Sequence, residues 1–132
     1  MMDLDIARAL IGRVQERARE IGIRVATAVV DAGGHPVAFE RMDGTQLASL
    51  TIAAGKAFTA VAWERPSGEL WSIAQPGAGG FGINTIDPRF VLSPGGLPIR
   101  HGDTVVGAIG VSGGTGEEDE DCALAALGED AA

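Results

Sequence analysis

Asp103-Thr-Val-Val-Gly-Ala-Ile-Gly-Val-Ser-Gly-Gly114 is the stretch around which the rest of the chain must fit. Its residues from Thr104 to Ser112 are apolar or small on both faces, which is typical of a strand in the middle of a sheet. The corner that follows, Ser112-Gly113-Gly114, leads into a helix, and such a corner often lies near a ligand. The stretch therefore predicts a central strand with a candidate site at its end.

Helical periodicity predicts four helical segments. Apolar residues at spacings of three and four predict a first helix from Asp3 to about Ile21, capped by Asp3 and ended by Gly22. An almost wholly apolar body predicts a second helix from Thr45 to about Trp63, buried on most of its sides. A short helical turn is predicted at 66–73, and the capping-box pattern at 115–118 predicts a last helix through about Leu127.

Runs of β-branched and alternating residues predict five strands, at 25–31, 37–42, 89–92, 97–101 and 104–112. The first and fifth are the most apolar, so we expect them to be central neighbours. The order of elements predicts an α+β fold, in which helices pack on a five-stranded antiparallel sheet. A chain of 132 residues fits a single domain over 1–132, with a frayed tail after Gly128.

Charge and composition exclude several classes of protein. A net charge of -8 argues against nucleic acid or an anionic membrane surface as the main partner. The charged N-terminal residues fit neither a signal peptide nor a membrane span, so we expect a cytoplasmic protein. The single cysteine, Cys122, excludes an internal disulfide framework. His35 and His101 fall in predicted turns without further ligands at metal-binding spacing, so no metal site is predicted.

Lys56 is the only lysine of the chain, and it lies on the apolar second helix. A buried ammonium group needs a partner or a ligand, so Lys56 is a candidate ligand-binding or catalytic residue. Two structural alternatives are equally compatible with the sequence. Either the aliphatic stem carries the charge out to solvent, or the ammonium group forms a salt bridge between subunits.

A second group of candidates lies at the predicted end of the sheet. If the first and fifth strands pair antiparallel, the corner at Ser112 arrives beside Arg41 and Asp43, and one pocket could include all three. Arg41 is suited to a carboxylate ligand, although Arg41 and Asp43 could instead form a local ion pair. The amides of Gly113 and Gly114 could hold an anion, in competition with the carboxylates that begin the last helix.

Five motifs in a fixed order carry a resemblance that spans about Ile6 to Leu127. They are Val29-Val-Asp-Ala-Gly-Gly-His-Pro-Val37, Arg41-Met-Asp-Gly44, Ile52-Ala-Ala-Gly-Lys-Ala-Phe-Thr-Ala60, Pro94-Gly-Gly-Leu-Pro-Ile99 and Val106-Gly-Ala-Ile-Gly-Val-Ser-Gly-Gly114. With these motifs the chain resembles the GlcG/HbpS family. The resemblance implies a profilin-like sandwich and commonly a homo-oligomer, with haem binding or haem degradation in some relatives. Lys56, Arg41, Asp43 and the Ser112-Gly113-Gly114 corner match the family pattern.

Three functional hypotheses follow. The first is a cytoplasmic small-molecule-binding protein that holds haem, or a related ligand, between helix Thr45–Trp63 and the sheet. The second is a cofactor-independent isomerase or lyase acting on a small oxygenated carboxylate, which Arg41 binds while Lys56 or Asp43 moves a proton. That enzyme predicts that Lys56→Met abolishes turnover with little change in melting temperature. The third hypothesis is a structural subunit of an oligomer.

Overall fold

A computed structural model describes residues 1–128. Residues 129–132, including the tail that the sequence predicts to fray, lie outside the described residues. The described part contains the helices α1 (Leu4–Ile21), α2 (Ala48–Trp63), α3 (Leu70–Ile73) and α4 (Gly116–Leu127). It contains the strands β1 (Ala26–Asp31), β2 (Pro36–Arg41), β3 (Gly96–His101) and β4 (Thr104–Ser112), together with short 3-10 helices at Ser67–Glu69 and Ile83–Thr85.

The four strands form one antiparallel sheet in the order β2-β1-β4-β3. The prediction that the first and last strands are central neighbours is confirmed: β1 pairs with β4, and Ala28 lies opposite Gly110. Val29 and Ile109 belong to the core shared with α1 and α4, whereas Ala28 and Ala108 pack with residues of α2. The sheet therefore has helices on both faces, because both faces of its central strands are apolar.

The predicted strand at 89–92 is wrong, and the α+β sheet has four strands rather than five. Side chains satisfy the backbone amides of this segment instead of a neighbouring strand. The amide of Arg89 donates to Asp87 Oδ1 at 2.8 Å, and the amide of Val91 donates to Thr59 Oγ1 of α2 at 2.8 Å. Val91 lies against Gly55 of α2, and Leu92 is buried with Leu70 and Ala74. This burial explains why the pattern of the segment looks like that of a strand.

The helix caps follow the sequence closely. Asp3 accepts a hydrogen bond from the amide of Ile6 at 2.8 Å, and Gly22 ends α1 with a left-handed φ of 77°. Thr115 and Glu118 form the predicted capping box at the start of α4. The second helix begins at Ala48 rather than Thr45, because the Thr45 hydroxyl donates to the Met42 carbonyl at 2.7 Å and closes a turn there.

Close packing fixes α2 against the sheet. A Cβ atom at Gly110 would collide with the carbonyl oxygen of Ala53, so only glycine lets β4 approach the helix backbone at this point. In residues 1–128, no helix combines the length and the apolar character needed to cross a bilayer. The description as a profilin-like sandwich, which the family resemblance implies, stays a prediction.

Candidate functional site: an apolar cavity beneath helix α2

A cavity of about 640 Å³ lies between α2 and the β1–β2 half of the sheet. Strand β1 contributes Ala28 and Val30 to its walls, α2 contributes Leu50 and Phe58, and the segment 88–91 closes one side. Its volume is within the range of small-molecule sites, which are also mainly apolar. The cavity lies where the first functional hypothesis places a ligand pocket.

Two residues of α2 hold the segment 88–91 in place. A Cβ atom at Gly55 would lie 2.9 Å from the carbonyl oxygen of Arg89 and would also collide with Val91, so glycine allows the segment to lie directly on the helix. One turn later, Thr59 Oγ1 accepts from the Val91 amide at 2.8 Å and donates to the Gly55 carbonyl at 2.7 Å. Glycine is therefore needed at position 55, in the middle of α2, because the segment 88–91 lies against the helix there and forms a wall of the cavity.

Among the described residues that line the cavity, Arg89 is the one with a charged side chain. Its guanidinium carbon lies 3.7 Å from the centre of the Phe58 ring, a distance typical of cation–π stacking. Its Nε and Nη2 donate to the two oxygens of Asp87 at 3.0 and 2.7 Å. These hydrogen bonds lower the pKa of Asp87 to about 2, so the pair is fully charged at neutral pH.

Arg89 and Asp87 are not among the candidate residues that the sequence predicts. A signal was present in Asp87-Pro88-Arg89, because an aspartate two residues before an arginine can form both a turn and an ion pair. The contact with Phe58 could not be read from the sequence, since it depends on how the segment folds over α2.

Lys56 is buried and lies outside the cavity lining. Its Nζ donates to Asp119 Oδ2 at 3.0 Å and to the carbonyl oxygen of Val111 at 2.9 Å. Asp119 Oδ1 in turn accepts from the amide of Gly114 at 2.8 Å. Burial raises the pKa of Asp119, although Lys56 and that amide oppose the shift. The ammonium group therefore neither reaches solvent nor depends on another subunit for its salt bridge, because its partner Asp119 belongs to the same chain. The role of Lys56 in catalysis or ligand binding stays a prediction.

Arg41 and Ser112 lie at the same end of the sheet, because Ala26 is opposite both residues in the register. They do not line one pocket, however. Arg41 and Asp43 border a shallow depression of about 380 Å³ on the α1 side, whereas Ser112 is buried. Among the ion pairs formed within 1–128, none joins Arg41 to Asp43.

The glycine corner contributes little open surface for an anion. The amide of Gly114 is already bonded to Asp119, as the competition with the carboxylates of the last helix anticipates. Gly113 borders a separate depression with Arg24 and Gly44. The ligand-binding roles proposed for Arg41, Ser112, Gly113 and Gly114, and the catalytic role of Asp43, stay predictions.

The cavity has the apolar walls and the cation of a haem site, but its described lining has no axial ligand for the iron. Its walls suit the apolar faces of a porphyrin, and Arg89 suits a carboxylate. The lining formed by residues 1–128 contains no histidine, cysteine, methionine or tyrosine, although these are common axial ligands of haem iron. His35 belongs to the nearby β1–β2 turn, where its Nδ1 lies 3.1 Å from Asp31 Oδ1. In the described part, no cluster of His, Cys, Asp and Glu suits a metal ion.

Comparison with protein families decides the relationship that the motifs suggest. A family described as haem-degrading protein, HbpS-like, matches residues 2–128. The chain belongs to this HbpS-like family. Two curated relatives agree with this. An uncharacterised 15.0 kDa protein of Citrobacter freundii, from the dhaT–dhaS intergenic region, is 38% identical over 94% of the chain and 88% of its own length. Protein GlcG of Escherichia coli is 32% identical over 85% and 81%.

Two solved structures share the fold. A PduOC:heme complex superposes with a TM-score of 0.92 and 31% identity, covering 96% of the chain and 92% of its own. A double mutant of HbpS from Streptomyces reticuli gives a TM-score of 0.89 and 33% identity, covering 96% and 84%. The predicted resemblance to the GlcG/HbpS family is confirmed.

Proposed function

We propose that this HbpS-like protein is a cytoplasmic small-molecule-binding protein and that its ligand occupies the cavity beneath α2. The observation that carries the proposal is the cavity itself, which is large enough for a small ligand and is lined mainly by apolar side chains. Burial of an apolar ligand surface contributes about 25 cal/mol per Å². The cavity therefore favours a ligand with extended apolar faces.

Haem is the first ligand to test. A related structure contains haem, and the apolar walls and Arg89 of this chain suit the porphyrin faces and a propionate group. When bound, haem would supply iron for redox or oxygen chemistry. The apolar residues of this cavity would hold the macrocycle and exclude water. Within residues 1–128, its lining offers no histidine, cysteine, methionine or tyrosine to the iron.

Parallel titration with haem and with iron-free protoporphyrin tests this assignment. If apolar contacts hold the macrocycle, both should bind at micromolar protein, with dissociation constants within about threefold of each other. Soret absorbance follows haem, and porphyrin fluorescence follows the iron-free ligand. If neither ligand binds, the porphyrin assignment is wrong.

A second result would change the assignment of the iron ligand. If haem binds at least tenfold more tightly than protoporphyrin, the iron has an axial ligand from outside the cavity lining. His35→Ala then tests the histidine of the β1–β2 turn, with His101→Ala as the control in the β3–β4 turn. Loss of the haem preference in the first variant alone would identify His35 as that ligand.

We also propose that a second copy of this chain covers an apolar surface. Four exposed hydrophobic side chains fall within one stretch of sixteen positions: Trp71, Ile73, Phe81 and Ile86 are between 36% and 69% exposed. Soluble monomers seldom leave extended apolar patches in water. Native mass spectrometry should show an oligomer, and Trp71→Glu with Phe81→Glu should dissociate it. A monomer in the unmodified protein would contradict this proposal.

A further inference from the structure

We propose that Arg89 recognises an acidic group on the ligand, so that the cavity selects apolar acids over neutral molecules of the same shape. This inference rests on the proposed binding function and names the chemical class of the ligand. Arg89 lies at the cavity, has fixed contacts with Phe58 and Asp87 and belongs to a chain of negative net charge.

The guanidinium group of Arg89 lies at the opening of the cavity. Arg89 lines the cavity together with Phe58 and Val91, and its side chain is 62% exposed, so the charge lies at the opening rather than within the walls. An apolar molecule that enters the cavity can therefore leave a polar end beside the guanidinium group. No other lining residue offers a charge to such an end.

The guanidinium group of Arg89 has a fixed orientation. Stacking on Phe58 and the paired hydrogen bonds to Asp87 hold its plane before a ligand arrives. Those bonds use Nε and Nη2, and Nη1 has no hydrogen-bond partner within residues 1–128. An arginine with a fixed plane and free N–H groups is suited to a carboxylate or sulfonate, because it loses little conformational entropy on binding.

The charge that surrounds Arg89 is negative on average. The chain carries a net charge of -8, so its average field repels an acidic ligand. A fixed local cation is then needed for an acid to bind as well as its neutral analogue. Asp87 offsets part of that cation, so the bound acid has to share Arg89 with the protein's own carboxylate. Removal of the Asp87 charge should therefore strengthen binding of acids.

Two fluorescent probes with the same rings test the inference. Anilinonaphthalene sulfonate carries an acidic group, whereas N-phenylnaphthylamine does not. In Arg89→Met, we expect the sulfonate to bind about tenfold more weakly, since a hydrogen-bonded charge pair is lost. The neutral probe should change less than about twofold, because apolar contacts remain.

Matched variants separate this role from general effects of charge and folding. Arg65→Met removes another exposed arginine that pairs with a nearby acid, Glu69, through Nε and Nη2 but does not line the cavity. It should leave both affinities unchanged. Asp87→Asn keeps Oδ1 as the acceptor for the amide and Nε of Arg89, and Phe58 still stacks on the guanidinium group. The variant removes the charge and frees Nη2, so it should tighten sulfonate binding about threefold.

The outcomes are distinguishable. Selective loss in Arg89→Met and selective gain in Asp87→Asn support the inference, and the Asp87 variant decides alone if Arg89→Met does not fold. If both probes bind and neither variant changes the ratio of their affinities, acid recognition by Arg89 is overturned while the cavity stands. If neither probe binds to the unmodified protein, the proposed binding function fails.

Discussion

Lys56 Nζ lies 3.0 Å from Asp119 Oδ2, and each side chain is only 3% exposed. The pair joins the middle of α2 to the first turn of α4. Its remaining bonds run to the Val111 carbonyl and to the Gly114 amide, so it also fixes the corner after β4. The chain's only lysine thus connects three elements that are far apart in the sequence.

Lys56→Met should lower the free energy of unfolding by about 3–5 kcal/mol, because it leaves the Asp119 carboxylate buried without its partner. Urea unfolding measures this change. Arg65→Met is the control, since an exposed pair contributes about 0–1 kcal/mol. The structure therefore leads us to expect the opposite of the enzyme hypothesis, which required a nearly unchanged melting temperature. A loss below about 1 kcal/mol would contradict this role of the pair.

Gly55→Ala should destabilise the protein, even though alanine favours a helix by about 1 kcal/mol. The added methyl group meets the Arg89 carbonyl and Val91, and such overpacking costs about 1–3 kcal/mol. Gly12→Ala in α1 is the matched control, because nothing lies within 4 Å of the added Cβ there. Thermal unfolding should show opposite shifts for the two variants. A stabilising Gly55→Ala would mean that the segment 88–91 does not lie on α2.

Ala54→Trp should abolish ligand binding without a large loss of stability. Ala54 lines the cavity but is exposed, so an indole ring can fill the space without disturbing the core. We expect the affinity for protoporphyrin and for both naphthalene probes to fall at least tenfold, since the apolar surface that they cover is lost.

Ala48→Trp provides the comparison for the cavity-filling variant, because Ala48 is an exposed α2 residue outside the cavity lining. It should bind all three molecules as the unmodified protein does. If Ala54→Trp retains their affinity, the ligands occupy a different site.

Cys122 makes the free energy of unfolding depend on pH in the alkaline range. Burial of the thiol raises its pKa from 9.0 to about 11, so the unfolded chain releases this proton at lower pH than the folded chain. Stability is therefore retained below pH 9 and falls as the pH rises to about 11, by about 2–3 kcal/mol over the two units.

Urea unfolding at a series of pH values measures this loss, and Cys122→Ala should flatten the curve between pH 9 and 11. The chain has no tyrosine and a single lysine, so few other side chains titrate in the same range. An equal slope in both proteins would assign the pH dependence to another group.

Most of the fold could be predicted because its signals are local. Asp3, Gly22 and the Thr115–Glu118 capping box mark helix ends within a few residues, and the two apolar faces of β4 place it at the centre of the sheet. The composition of segment 89–92 predicts a strand, because an apolar segment that packs on a helix and a buried strand have the same composition. The two cases differ in the partners of the backbone amides, which here are Asp87 and the Thr59 hydroxyl, thirty-two residues away from Val91.

The site was harder to predict because its contacts are distant in the sequence. The sequence marks Lys56 as the single lysine on an apolar helix, but its partner Asp119 lies sixty-three residues further on, among other acids that look equivalent. The sequence does not mark Arg89, because exposed arginines are common and the contact with Phe58 exists only in the folded chain. The cavity depends on the small side chains of β1 and on a loop, and neither has a distinctive motif.

The segment 88–91 forms a wall of the cavity without belonging to the sheet, and it is attached to α2 at Gly55 and Thr59. Insertions or substitutions in this segment can therefore alter the size and charge of the cavity while the strand pairing and both core clusters stay intact. If the cavity binds a ligand as proposed, a relative with other residues in this segment should prefer another ligand while its fold stays superposable. Within this family, the residues of the segment should predict the ligand better than overall sequence identity does.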